Sequence, residues 1–207
     1  TLFNFPAMVP MWMFPLALAT GNSFILKPSE KDPLGSIFIT ELFNKTKAPK
    51  GLLNLVNGDK KTVESLINDK RIKAVSFVGS TPVAKKVYEL SSISGKRCQA
   101  LGGAKNHALI LSDANIDYTT DQLISAAFGS SGQRCMALSV AVVSVKIKNE
   151  FLKSLKEKVL KLKFGSEDLN SNSFGPLVTM EHLKSVENNI KIAEDEGAEI
   201  IVDGRDL

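Results

Sequence analysis

Short apolar runs that alternate with segments of helical period narrow the fold of this chain more than any other feature. The runs lie at 23–26, 53–56, 74–78, 107–111 and 139–145, and between the first of them the segments 34–43, 61–68 and 83–91 read as helices. That is βαβαβ order. Adjacent parallel strands need a crossover between them, and helices supply it, so an α/β chain built on parallel sheet is expected.

A glycine-rich joint, "LGGAKNH", begins at Leu101 and changes the texture of the chain. It divides the sequence into an expected 1–101 and 102–207. Beyond it, 116–128 reads as a helix. Phe151, Leu155, Val159 and Leu162 recur at helical spacing, as do Leu183, Val186, Ile190 and Ala193, with Gly197 placed to end the second helix. The string "EIIV" at 199–202 reads as a strand.

With 43% hydrophobic and 23% charged residues among 207, the chain is an ordinary globular sequence with enough length for a core. Residues 5–19 are apolar enough to suggest a leader or membrane segment. They carry Pro6, Pro10 and Pro15, lack a basic start, and fall short of the roughly 20 apolar residues a spanning helix needs. A buried helix under a sheet is the better expectation. Opening on "TLFNFP" without an initiator Met, the chain reads as cut from something longer.

Many of the lysines behind the net charge of +4 lie at 146–163, which reads as a solvated helix face and only weakly as a nucleic-acid surface. Cys98 and Cys135 are too far apart for a C-x-x-C motif, and two thiols do not make a secreted disulfide scaffold. His107 and His182 complete no ligand spacing with them, so no metal is expected.

Four strings carry candidate chemistry. In "FVGSTPVAKK" a strand ends at Gly79, Thr81 is placed to cap a helix and Pro82 to enter its first turn, so backbone N–H groups and the Ser80 hydroxyl would converge as an anion site such as pyrophosphate uses. An unliganded strand-to-helix turn explains it equally. In "FILKPSEKDP" Lys27 and Glu30 follow a strand end, where open parallel sheets bind ligands and a carboxylate can accept from ribose hydroxyls; a surface salt bridge at a proline turn is the alternative. In "SSGQRCMALS" Cys135 is either a nucleophile, which needs thiolate, or a small buried thiol. In "LFNFP" the Asn4 amide can face an oxyanion or simply make a turn.

In their order and spacing "FNFP", "KPSE", "FVGST" and "GQRC" resemble the aldehyde dehydrogenase superfamily along the whole chain. The longer strings "GAKNHALILSDAN" and "GQRCMALS" are similar to its acylating, coenzyme A-dependent branch, that of the methylmalonate-semialdehyde dehydrogenases. The resemblance implies a Rossmann-like NAD-binding part over 1–101 and the start of an α/β catalytic domain over 102–207, both incomplete. It makes Cys135 the nucleophile and Asn4 the oxyanion donor. Phe3, Lys27, Glu30, Lys31, Ser80 and Gly102 become cofactor-binding residues, and Arg134 a candidate for the substrate carboxylate. NAD is the implied oxidant, a small semialdehyde bearing a carboxylate the substrate, and valine or inositol breakdown the setting. A homodimer or homotetramer follows, without nucleic-acid or membrane partners, in the mitochondrial matrix of a eukaryote or otherwise the cytoplasm.

One departure from the superfamily pattern carries information. Hydrolytic members have a glutamate in "ELGG", whereas this chain reads "QALGGAKN" with Ala100 there and no glutamate between Glu89 and Glu150. Without that base water attack on a thioester should be slow, and coenzyme A, a better nucleophile, is the expected acceptor. A hydrolytic enzyme with another base, or a non-catalytic protein on the same fold, stays open. The chain alone is expected neither to turn over nor to bind NAD tightly, because its sheet edges would lack neighbours.

Overall fold

The computed structural model describes residues 1–165 and 174–205. The chain forms two compact units, Thr1–Gly103 and Ala104–Leu207. In the first, α1 (Met8–Ala19), β1 (Phe24–Leu26), α2 (Leu34–Asn44), β2 (Leu53–Leu55), α3 (Lys60–Asn68), β3 (Ala74–Val78), α4 (Thr81–Ile93) and β4 (Arg97–Leu101) follow one another. β1 pairs in parallel with β2, from Phe24↔Leu53 to Leu26↔Leu55, and β3 with β4, from Ala74↔Arg97 to Val78↔Leu101. α2 and α4 are the crossovers that parallel pairing demands. The α/β class expected from the alternation is the one observed.

The apolar N-terminal stretch becomes α1, which touches both strand pairs. Its Val9 and Met13 pack on Val78 of β3, and its Phe14 packs on Leu26 of β1 and Leu53 of β2. Leu26 and Leu53 are each 1% exposed, and burial of such a side chain stabilises by roughly 1.5–3 kcal/mol. Met11, Trp12 and Leu16 on the same helix remain 44–70% exposed, so the buried helix is buried on one face only. Among the described residues no helix is long and apolar enough to cross a membrane.

β1 hydrogen-bonds only to β2, and β3 only to β4, among the described residues. Both strands line one cleft of about 1150 Å³. Backbone groups along an unpaired strand edge seek partners, which makes this cleft chemically demanding as well as roomy.

In the second unit β5 (Asn106–Ile110) pairs in parallel with β6 (Leu138–Val143), with α5 (Ile116–Phe128) as the crossover, and α6 (Lys148–Val159) and α7 (Met180–Asp195) follow. Asn115 caps α5 by accepting from the Tyr118 N–H at 3.0 Å. Ile110, Leu123 and Phe151 make the core. Lys158 of α6 ties to α5 through Asp117 and Asp121 at 2.8 and 2.6 Å. Gly197, at φ 92°, ends α7 as expected, a backbone conformation that other residues adopt at a cost. The strand expected at 199–202 does not form. A strand needs a ladder partner, and the described residues offer that segment none.

Candidate active site

Chain direction delivers the first group of residues. β1 ends at Leu26, so Lys27 leaves its carboxyl end with its side chain only 12% exposed, and Glu30 follows 3.3 Å away as its ion-pair partner. The salt bridge and the cleft position are therefore both present: Phe3, Lys27, Glu30, Lys31 and Ser80 all line the cleft between β1 and β3. The Glu30 carboxyl is held below the usual range, first by a hydrogen bond from its own backbone N–H and then by Lys27, against the opposing effect of burial. It is an ionised acceptor at neutral pH.

β3 runs into α4 through Gly79 and Ser80. Ser80, not Thr81, is the N-cap, and its hydroxyl makes no capping hydrogen bond. Thr81 is drawn into another role, because its Oγ1 accepts from the Gly103 N–H at 3.0 Å and ties the strand after α4 back to the helix start. A Cβ at Gly102 would lie 3.0 Å from Thr81 Oγ1 and 3.2 Å from its Cα, which is why glycine passes there. Gly102 is thus set against α4 and is not among the residues lining the cleft. Phe3 and Asn4 form a bend ahead of α1, both half-buried.

In the second unit a short 3₁₀ segment, Gly129–Gly132, separates α5 from the loop that bears the thiol. Ser130 and Ser131 sit at φ 54° and 55°, and Gly132 at 71°. Two successive left-handed serines are strained, and strain of this kind gathers at functional sites. Cys135 follows in a turn closed by the Ala137 N–H donating to the Arg134 carbonyl at 3.1 Å, and it is half-buried. Asn106 of β5 donates from its side-chain amide to the carbonyls of Cys135 and Ala137, both at 3.0 Å. Gln133 Oε1 accepts from the Val178 N–H at 2.9 Å and holds the loop from the other side.

Arg134 is exposed, with its guanidinium folded over Gly129, where a Cβ would meet Cζ at 2.5 Å. Among the described residues no carboxylate pairs with it. Cys98, by contrast, lies within the β3–β4 ladder opposite Val75. Ala100 stands on the same strand opposite Phe77, with no carboxylate at that position. Asn106 and the Thr81 contact are the residues that sequence reasoning missed. No local spacing points to them.

The first unit has a strand-end cleft with an ionised carboxylate and an uncapped helix start, the second has a thiol on a strained turn, and the aldehyde dehydrogenase family sequence model matches residues 1–207. The chain belongs to the aldehyde dehydrogenase family. It is 49% identical over 206 residues to a malonate-semialdehyde dehydrogenase from Pseudomonas aeruginosa, across 99% of this chain and 41% of that protein. The crystal structure of methylmalonate-semialdehyde dehydrogenase from Oceanimonas doudoroffii superposes with a TM-score of 0.94 at 51% identity, covering 98% of this chain and 42% of that one. A Sinorhizobium meliloti structure complexed with NAD superposes with a TM-score of 0.96 at 46% identity, covering 100% and 42%. The chain therefore spans about 42% of the length of the relatives it matches. These relatives are bacterial, and nothing among them supports the mitochondrial address.

Proposed function

We propose that this chain supplies NAD-binding and nucleophile-bearing parts of an enzyme that oxidises methylmalonate or malonate semialdehyde to an acyl-CoA. Support for the class comes from the family and from relatives of those names. The observation that carries the reading is Cys135 on its strained, doubly held turn.

The residues of the cleft suit a dinucleotide. Glu30 is an ionised acceptor for ribose hydroxyls, Lys27 and Lys31 neutralise anionic groups, and Ser80 offers a hydroxyl at a helix start where N–H groups point outward. Phe3 borders the cleft, and Gly102, set against Thr81 at the start of α4, fixes the helix start that bears Ser80. Bound NAD supplies a hydride acceptor.

Cys135, as thiolate, attacks the aldehyde carbonyl and forms a thiohemiacetal. The Asn4 amide donates to the developing oxyanion, an effect of about 3–4 kcal/mol where single donors have been removed from other enzymes. Arg134 pairs with the substrate carboxylate, since a guanidinium suits bidentate contact with one. Loss of hydride leaves a thioester on Cys135. With Ala100 where hydrolytic members place a base, the acyl group passes to the thiol of coenzyme A.

The test uses an enzyme of the relatives' full length carrying this sequence. NADH formation from malonate semialdehyde should require coenzyme A, with acyl-CoA identified by mass spectrometry. Free acid at an equal rate without coenzyme A would move the enzyme to the hydrolytic branch. Undiminished oxidation by Cys135→Ala would remove the thiol mechanism.

A further inference from the structure

We propose that Asn106 is a positioning residue for the thiol, its amide clamping the turn on which Cys135 stands. The proposal rests on the reading of Cys135 as nucleophile. Asn106 opens β5, a strand whose other end, Ile110, lies in the core with Leu123 and Phe151, so its anchor is rigid. Both N–H groups of the side chain are spent on the turn, one carbonyl on either side of Met136, at 3.0 Å each and across 29 and 31 residues of chain.

Ordinary ladder pairing does not do this work. The β5–β6 register slips between Asn106↔Leu138 and His107↔Val140, where a bulge re-aims the entering strand. At that slip the Asn106 side chain reaches the turn ahead of β6. On the N-terminal side, Ser130, Ser131 and Gly132 are left-handed in succession, an arrangement that persists only when its surroundings over-determine it. Released from Asn106, the turn loses both of these donated bonds. The direction of the Cys135 Cα–Cβ bond would then no longer be defined. Attack on a carbonyl tolerates little of this, since a misplacement near 1 Å costs about 10²-fold in rate.

The experiment compares Asn106→Ala and the equally shaped Asn106→Asp, which cannot donate from an ionised carboxylate, in the full-length enzyme. Both should lower kcat by about 10- to 100-fold while the KM for semialdehyde and the Kd for NAD stay within about threefold. Alkylation of Cys135 by iodoacetamide should also stay within about threefold, because a small freely diffusing electrophile needs no aimed thiol. Wild-type kcat in Asn106→Asp would show that the donated hydrogen bonds do not matter. Turnover, alkylation and melting temperature falling together would reduce Asn106 to a fold-stabilising residue. Either result overturns the proposal while leaving Cys135 as nucleophile. Retention of full activity by Cys135→Ala would instead sink the reading beneath it.

Discussion

Lys27 follows directly on β1 and Ser80 on β3, so in Thr1–Gly103 the chain's own direction delivers side chains to the cleft. Cys135 in Ala104–Leu207 reaches its place differently, on a turn between α5 and β6 that is held by Asn106 from β5 and Gln133 from within the loop. Parallel strands put every carboxyl end on one side, which makes the first arrangement robust to detail. A turn has no such rule. Its geometry depends on distant donors, and a single side chain can decide it.

The cores invite the largest test of this contrast. Phe151 is 1% exposed and sits in the second unit's core with Ile110 and Leu123, and Phe151→Ala should cost about 3–5 kcal/mol. Leu26 is equally buried but shares the first unit with a separate cluster around Val9 and Met13, and Leu26→Ala should cost about 2–5 kcal/mol. Urea unfolding followed by hydrogen exchange would locate each loss. Protection lost across β5, α5 and α6 for Phe151→Ala, and across β1 and β2 for Leu26→Ala, supports two separately built cores. Equal loss throughout for both would break the comparison.

A smaller effect is expected at the close approach in the first unit. Gly102→Ala places a methyl group against Thr81, at 3.0 Å from Oγ1 and 3.2 Å from Cα, and overpacking of this kind costs about 1–3 kcal/mol. Lower thermal stability with weaker NAD binding is the expected result. A neutral outcome in both would mean that α4 yields easily, and that the first unit is the softer of the two.

The smallest effect is electrostatic and belongs to the second unit. Lys158 is partly desolvated, which opposes its charge, yet Asp117 and Asp121 outweigh that and raise its pKa, while the Lys158 hydrogen bond holds the Asp117 carboxyl below its usual range. A carboxyl with a depressed folded pKa stabilises above its unfolded pKa and loses that contribution as pH falls through the folded value. Melting curves of the wild type and Lys158→Met should therefore differ at neutral pH and converge in acid and in high salt. A difference that persists at low pH would assign the role of Lys158 to packing of its stem.

Much of the fold was legible because it rests on local patterns. The apolar runs became β1, β2, β3, β5 and β6 within a residue or two, and Gly197 closed α7. The cap of α4 was misassigned by one residue, since Ser80 and Thr81 both suit an N-cap and only the pull of Gly103 on Thr81 separates them. The segment at 199–202 has strand composition without a partner. The apolar character of residues 5–19 predicted burial, but a helix can press only one face on a sheet.

Residue order alone specified the alternation of strands and helices, the strand ends that carry Lys27 and Ser80, and the family motifs from "FNFP" to "GQRC", because each depends on neighbours a few positions apart. Tertiary structure alone decided that Thr81 serves Gly103, that Gly102 must lack a side chain, and that Asn106 grips the turn of Cys135 across 29 residues. The reason is physical. A periodicity records which face of an element is buried, whereas a hydrogen bond between distant segments exists only once the core has brought them together.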